Sequence, residues 1–222
     1  MSFYELLMQS MPKLLTALFI TLKMTFWSLL FAIVLGMLAC FLTISKYKIL
    51  NLISGIYVNA IRGTPLMVQA FFLYFGMTGT FGFKLDNFTC SVIILALNAG
   101  AYLSEIFRSG INAINVGQME AARSLGLPYH VAMAKIIVPQ AIRIVIPSVG
   151  NQFIITLKDT SILSVIGVGE LMKAGNLIVS RNFRGFEVYG IIAVIYFIVI
   201  MILTQLLKLV ERGLSNGKGR SI

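Results

Sequence analysis

Val188–Leu207 reads VYGIIAVIYFIVIMILTQLL, twenty residues without a charge. A helix needs about 20 consecutive apolar residues to cross the hydrocarbon core of a bilayer. A helix apolar all round has no face to offer water, so this stretch predicts a membrane span. Working outward, the pattern recurs: Met24–Ile44, Gly63–Phe83 and Asn87–Ser104 are likewise uncharged and of similar length. Across the 222 residues 58% are hydrophobic and 12% charged, too few charges to cover a soluble domain. Ile144–Leu157 is a fifth, shorter stretch, interrupted by Pro147 and Gly150 and followed by Lys158–Asp159. A bundle helix that lines a polar cavity has this character. The expectation is an all-α, multi-pass membrane protein with about five core transmembrane helices.

No linker, low-complexity tract or repeat divides residues 1–222, so one domain is expected. Residues 11–22 read as an amphipathic lead-in, with Pro12 suited to a first helical turn. Met1–Ser10 lacks the basic start of a signal peptide, so the first span is expected to stay in the mature protein. Ile49–Ile61 is an uncharged approach helix that breaks at Arg62–Pro65, where Thr64 suits an N-cap and Pro65 a first helical position. Gly79–Asp86 reads as a loop.

The net charge of +10 points to anionic lipid rather than nucleic acid, because no nucleic-acid motif or aromatic-laced basic stripe accompanies it. Lys46, Lys48, Arg108, Arg123, Lys135, Arg143 and the tail cations Lys208, Arg212, Lys218 and Arg220 outnumber Lys13, Lys84, Lys173, Arg181 and Arg184. The bias favours an external N-terminus and a cytoplasmic C-terminus. Cys40 and Cys90 lie far apart in apolar runs, and His130 has no cysteine or paired carboxylate near it. That pattern predicts neither a disulfide framework nor a metal site, and there is no catalytic constellation of an enzyme.

The loop of about 109–139 is the polar exception. It carries Glu120–Ala121–Ala122, then Gly126, then Ile136 and Val138–Pro139. Glu120–Leu125 can form a short helix whose alanine face permits close approach of another protein. Gly126 would end that helix left-handed and Pro128 would forbid its continuation. This pattern resembles the coupling-loop signature of permeases from ATP-binding-cassette importers, with Val138 where leucine is usual. The resemblance to histidine/glutamine/arginine-type permeases extends along the chain. It is carried by Arg62–Gly63–Thr64–Pro65–Leu66, Leu97–Asn98–Ala99–Gly100–Ala101–Tyr102, Glu105–Ile106–Phe107–Arg108, Gly150–Asn151–Gln152–Phe153, Lys158–Asp159–Thr160–Ser161 and Val165–Ile166–Gly167–Val168–Gly169–Glu170–Leu171.

The resemblance implies a permease in the bacterial inner or plasma membrane, paired with a second permease chain, two ATPase subunits and an extracytoplasmic solute-binding protein. Glu120, Ala121, Ala122 and Gly126 would form the cytoplasmic coupling helix. The chain would hold no cofactor, ATP being bound by the ATPase partners. Gly213–Gly219 lacks the glycine spacing and the Ser or Thr of a P-loop, and reads as an unstructured tail.

Polar groups inside spans mark a path or a packing partnership. Lys158 and Asp159 supply one charge of each sign for a zwitterion, and with Asn98 are expected to recognise an amino acid's main-chain groups. Gln152, six residues before Lys158, is expected to face the same cavity. Relatives that resemble this chain often carry Glu there, so the amide favours glutamine or a similar neutral polar amino acid. Cystine or a cationic amino acid is the alternative, and a channel or scaffold subunit a more distant one. Glu105 is expected to pair with Arg108 one turn away.

Overall fold

The computed structural model describes residues 2–82 and 85–216. Among them all regular structure is helical. Four helical stretches are long and apolar enough to cross a membrane: Phe3–Thr43, Asn87–Asn112, Tyr129–Ile166 and Gly185–Gly213. The apolar stretch Leu66–Gly76 is shorter.

Helix α1 (Phe3–Thr43) absorbs the expected lead-in and the first span into one element. Its start is a capping box, with Ser2 Oγ accepting from the Glu5 amide at 3.2 Å and Glu5 Oε2 accepting from the Ser2 amide at 2.7 Å. Pro12 therefore sits inside the helix and not in its first turn. At about 1.5 Å per residue α1 is about 60 Å long, twice the hydrocarbon thickness.

Helix α2 (Lys48–Arg62) is the approach helix, tied to α1 by Ser54 Oγ donating to the Ala39 carbonyl at 2.7 Å. The stretch expected as the second span is instead segmented. Helix α3 (Leu66–Phe71) runs into a π-helical turn, Phe72–Gly76, and then α4 (Met77–Phe81). Pro65, not Thr64, occupies the N-cap. Thr64 turns back, its hydroxyl donating to the Ala60 carbonyl at 2.8 Å. Part of the expected Gly79–Asp86 loop is thus helical, while Phe83 and Lys84 lie outside the described residues.

Helix α5 (Asn87–Asn112) starts at Asp86, whose Oδ1 accepts from the Thr89 amide at 3.0 Å. Hydrogen bonding from the Thr89 side chain, and then from this amide, holds the Asp86 carboxyl below its ordinary range. Helices α1 and α5 run parallel, Lys23 lying over Phe88 and Gly36 against Gly100 and Leu103. A Cβ on Gly36 would sit 2.8 Å from Leu103 Cβ and 3.0 Å from the Gly100 carbonyl, so glycine is what lets the helices touch.

Helix α6 (Val116–Ser124) and the short α7 (Tyr129–Ala132) form the polar loop, and a second π-helical turn, Met133–Ile137, leads into α8 (Val138–Asp159). The stretch that looked weakest as a span lies within one of the four long helical runs. Pro147 is accommodated there because α8 is already flanked by α5 and α10, which supply the packing that propensity lacks. Helix α8 runs antiparallel to α5, with Val145 against Gly110 at one end and Asn98 and Gln152 sharing a cavity further along. A 3₁₀ turn, Thr160–Ile166, closes with Gly167 at φ +85°.

Helix α9 (Leu171–Asn182) is capped by Glu170, which accepts from the Met172 and Lys173 amides at 2.9 and 2.6 Å and from the Tyr196 hydroxyl at 3.2 Å. Burial nevertheless pushes the Glu170 carboxyl up. Helix α10 (Gly185–Asn216) packs Leu207 against Gly150. It carries Gly213–Asn216 as helix where an unstructured tail was expected. The remaining residues of the P-loop-like stretch, Gly217–Gly219, and Arg220 lie outside the described residues.

Candidate functional site

Two regions hold the expected functional residues. At one end of the bundle, α6 begins earlier than expected, with Asn115 Oδ1 accepting from the Gly117 amide at 2.8 Å. Its end follows the local chemistry. Gly126 is left-handed at φ +82°. Its amide donates to the Arg123 carbonyl at 3.0 Å and the Leu127 amide to the Ala122 carbonyl at 3.2 Å. This is a Schellman closure, which satisfies two carbonyls that the helix end would otherwise orphan. Glu120, Ala121 and Gly126 are exposed, whereas Ala122 is buried and anchors the stub. Val116 and Leu125 flank it, 71% and 83% exposed. His130 stands exposed on α7, and Cys40 and Cys90 are free and buried.

The second region is a cavity of about 600 Å³ between the α2–α3 turn, α5 and α8, lined by Arg62, Gly63, Thr64, Pro65, Leu66, Asn98, Tyr102, Gln152, Ile155 and Asp159. It gathers Asn98, Gln152 and Asp159 but not Lys158, which is exposed. Helical geometry explains the split. Seven residues bring a side chain back to within about 20° of its starting face, so Asp159 follows Gln152. Six residues leave it about 120° away, so Lys158 does not.

The cation in the cavity is Arg62, at the last residue of α2. Its guanidinium lies 5.5 Å from the Tyr102 ring centroid and 3.5 Å from Glu105. Glu105 does pair with Arg108, through bonds of 2.7 and 3.1 Å. The turn that presents Arg62 is fixed by Gln69, a buried side chain whose amide donates to the Ile61 and Thr64 carbonyls at 2.7 and 3.0 Å. Gln69 Oε1 accepts from Asn98 Nδ2 at 3.1 Å. Asn98 thus spends one of its two N–H donors on the scaffold.

Gln152 and Asp159 make no side-chain hydrogen bond or ion pair among the described residues. A half-buried carboxylate is costly without a partner, and Asp159 is such a group in this lining. A larger hollow of about 720 Å³ between α1 and α5 is apolar but for Lys23 and Thr89 and has little to orient a polar solute.

Residues 32–216 match the family described as the binding-protein-dependent transport system inner membrane component. The chain belongs to this family. The membrane component of such a system is a permease, not an enzyme. This permease is 38% identical over 205 residues to the arginine transport system permease protein ArtQ of Bacillus subtilis strain 168, covering 92% of this chain and 94% of ArtQ. It is 38% identical over 195 residues to the glutamine transport system permease protein GlnP of Escherichia coli K12, covering 86% and 89%. Among solved structures, an amino acid ABC transporter with histidines superposes at TM-score 0.90, with 40% identity over 96% of this permease and 98% of that chain. The methionine transporter MetNI, at 19% identity and TM-score 0.76, shares the fold.

Proposed function

We propose that the chain is the permease subunit of an ATP-driven importer of polar amino acids in a bacterial inner or plasma membrane. The observation that carries the reading is the cavity in which Asp159, unpaired, shares a lining with Arg62 and the amide of Gln152. A zwitterionic amino acid offers an ammonium to Asp159 and a carboxylate to Arg62. Its side chain then meets Gln152 and Asn98. Arg62 takes the part first read for Lys158, which is exposed and does not line the cavity. An uncharged Gln152 suits glutamine or another neutral polar solute better than a cation, and the arginine and glutamine permeases among the relatives support the class.

In this reading α1, the α2–α4 segment, α5, α8 and α10 make five crossings, with the α6 end cytoplasmic. The stub of Glu120, Ala121, Ala122 and Gly126 seats in one of two ATPase subunits, which bind the ATP. An extracytoplasmic binding protein delivers solute, and a second permease chain, identical or not, completes the path.

The test is uptake of labelled glutamine by proteoliposomes holding the chain with its ATPase partner and the purified binding protein. Uptake is expected to need ATP and to vanish with Gly126→Pro. Solute flow down a gradient without the ATPase would overturn the reading.

A further inference from the structure

A second cavity of about 390 Å³ lies below the first, toward the α6 end of the α5–α8 pair. On α8 the lining moves from Gln152 and Asp159 to Ile144 and Ser148, and on α5 from Asn98 to Ser109 and Gly110. Among the described residues only Arg62 and Tyr102 line both cavities. We propose that Arg62, stacked on Tyr102 and paired with Glu105, is the bar between the two cavities, and that its release from Glu105 joins them into one passage toward the α6 end. The proposal rests on reading the first cavity as the solute site.

The bonding around Glu105 makes Arg62 the movable member. Glu105 accepts two bonds from Arg108, one turn along the same helix, at 2.7 and 3.1 Å. Its charge is already matched when Arg62 approaches to 3.5 Å, a distance at which Coulomb attraction remains but a strong hydrogen bond does not. One carboxylate between two guanidiniums leaves a net positive charge, so the looser cation is held against its neighbour's repulsion. The ring of Tyr102 offsets part of that through its π face, 5.5 Å away. The Arg62 side chain is 40% exposed, so it has room to swing without unpacking a helix.

Competition for Glu105 gives the test a sign that a scaffolding role does not share. The reporter is Ile155→Cys, in the wall of the first cavity, with Cys40 and Cys90 replaced by alanine. The complex with its ATPase is held in inside-out vesicles without ATP or amino acid, and a membrane-impermeant thiol reagent is added from the cytoplasmic side. Glu105→Gln and Arg62→Ala are expected to speed labelling about threefold, the scale of one partly exposed ion pair. Arg108→Gln, which leaves Glu105 wholly to Arg62, is expected to slow it. Equal rates in all variants, or acceleration in all three, would overturn the bar. Because labelling needs neither nucleotide nor solute, a failed bar leaves ATP-driven uptake intact. A failed functional reading shows instead as absent uptake with the labelling pattern preserved.

Discussion

Helix α5 has two seams of opposite character. Toward α1 it is apolar: beside the hollow lined by Trp27 and Phe31, Ala32 and Gly36 meet Ala99, Gly100 and Leu103, with backbone close to backbone. Toward α8 it is hollow and polar, with Asn98, Tyr102 and Glu105 facing cavities. Without a hydrophobic driving force between lipid and helix, the first seam holds through dispersion and close fit. The second seam forgoes that contact and leaves a carboxylate unpaired. One seam holds the bundle by close contact; the other, in the reading proposed above, receives the solute.

The sharpest way to break this contrast is Gly36→Leu. The Cβ alone would stand 2.8 Å from Leu103 Cβ, so the mutant is expected to lose about 3 kcal/mol or more and to fail to accumulate. Fluorescence-detected size-exclusion and thermal unfolding in detergent read the effect, and wild-type melting would refute the close α1–α5 contact. Asp159→Ala should do the reverse, melting as the parent does while glutamine uptake falls about 10–100-fold, the worth of a lost charged hydrogen bond. Normal uptake would remove Asp159 from the site. Gln152→Glu is the subtler probe, expected to shift the ratio of arginine to glutamine transport upward by about fivefold in competition assays. Smallest of all is a pH effect at the far end of the bundle. Burial raises the Glu170 carboxyl in the folded state, so the native chain holds a proton that the unfolded chain has given up. The stability tied to that proton is full below the ordinary carboxylate range and lost as pH rises above it. Melting curves of the parent should therefore fall against Glu170→Gln as pH is raised from about 4.5.

The features readable in the sequence were those set by neighbours along the chain. Gly126 ended its helix because the left-handed turn and the Schellman bonds involve only residues 122–127. Glu105 found Arg108 because three residues make a turn. Asn98, Gln152 and Asp159 were legible as polar residues in apolar runs, but their meeting depends on how α5 and α8 cross. Arg62 was not read as a cavity residue because it stands at a helix end, outside the uncharged windows that mark spans. The lead-in merged with α1 because Lys13 and Lys23 do not break a helix, though they break a hydropathy run. Conversely, Gly63–Phe83 looked like one span by composition, while Gly63, Pro65 and the π turn divide it.

The π turn at Met133–Ile137 has a geometric consequence for the path between stub and cavity. Winding one extra residue into a helix offsets everything beyond it by about 100° about the axis. The azimuth at which α8 presents Gln152 and Asp159 is thus indexed to the stub through a single inserted residue, like the keyway between a crank and its shaft.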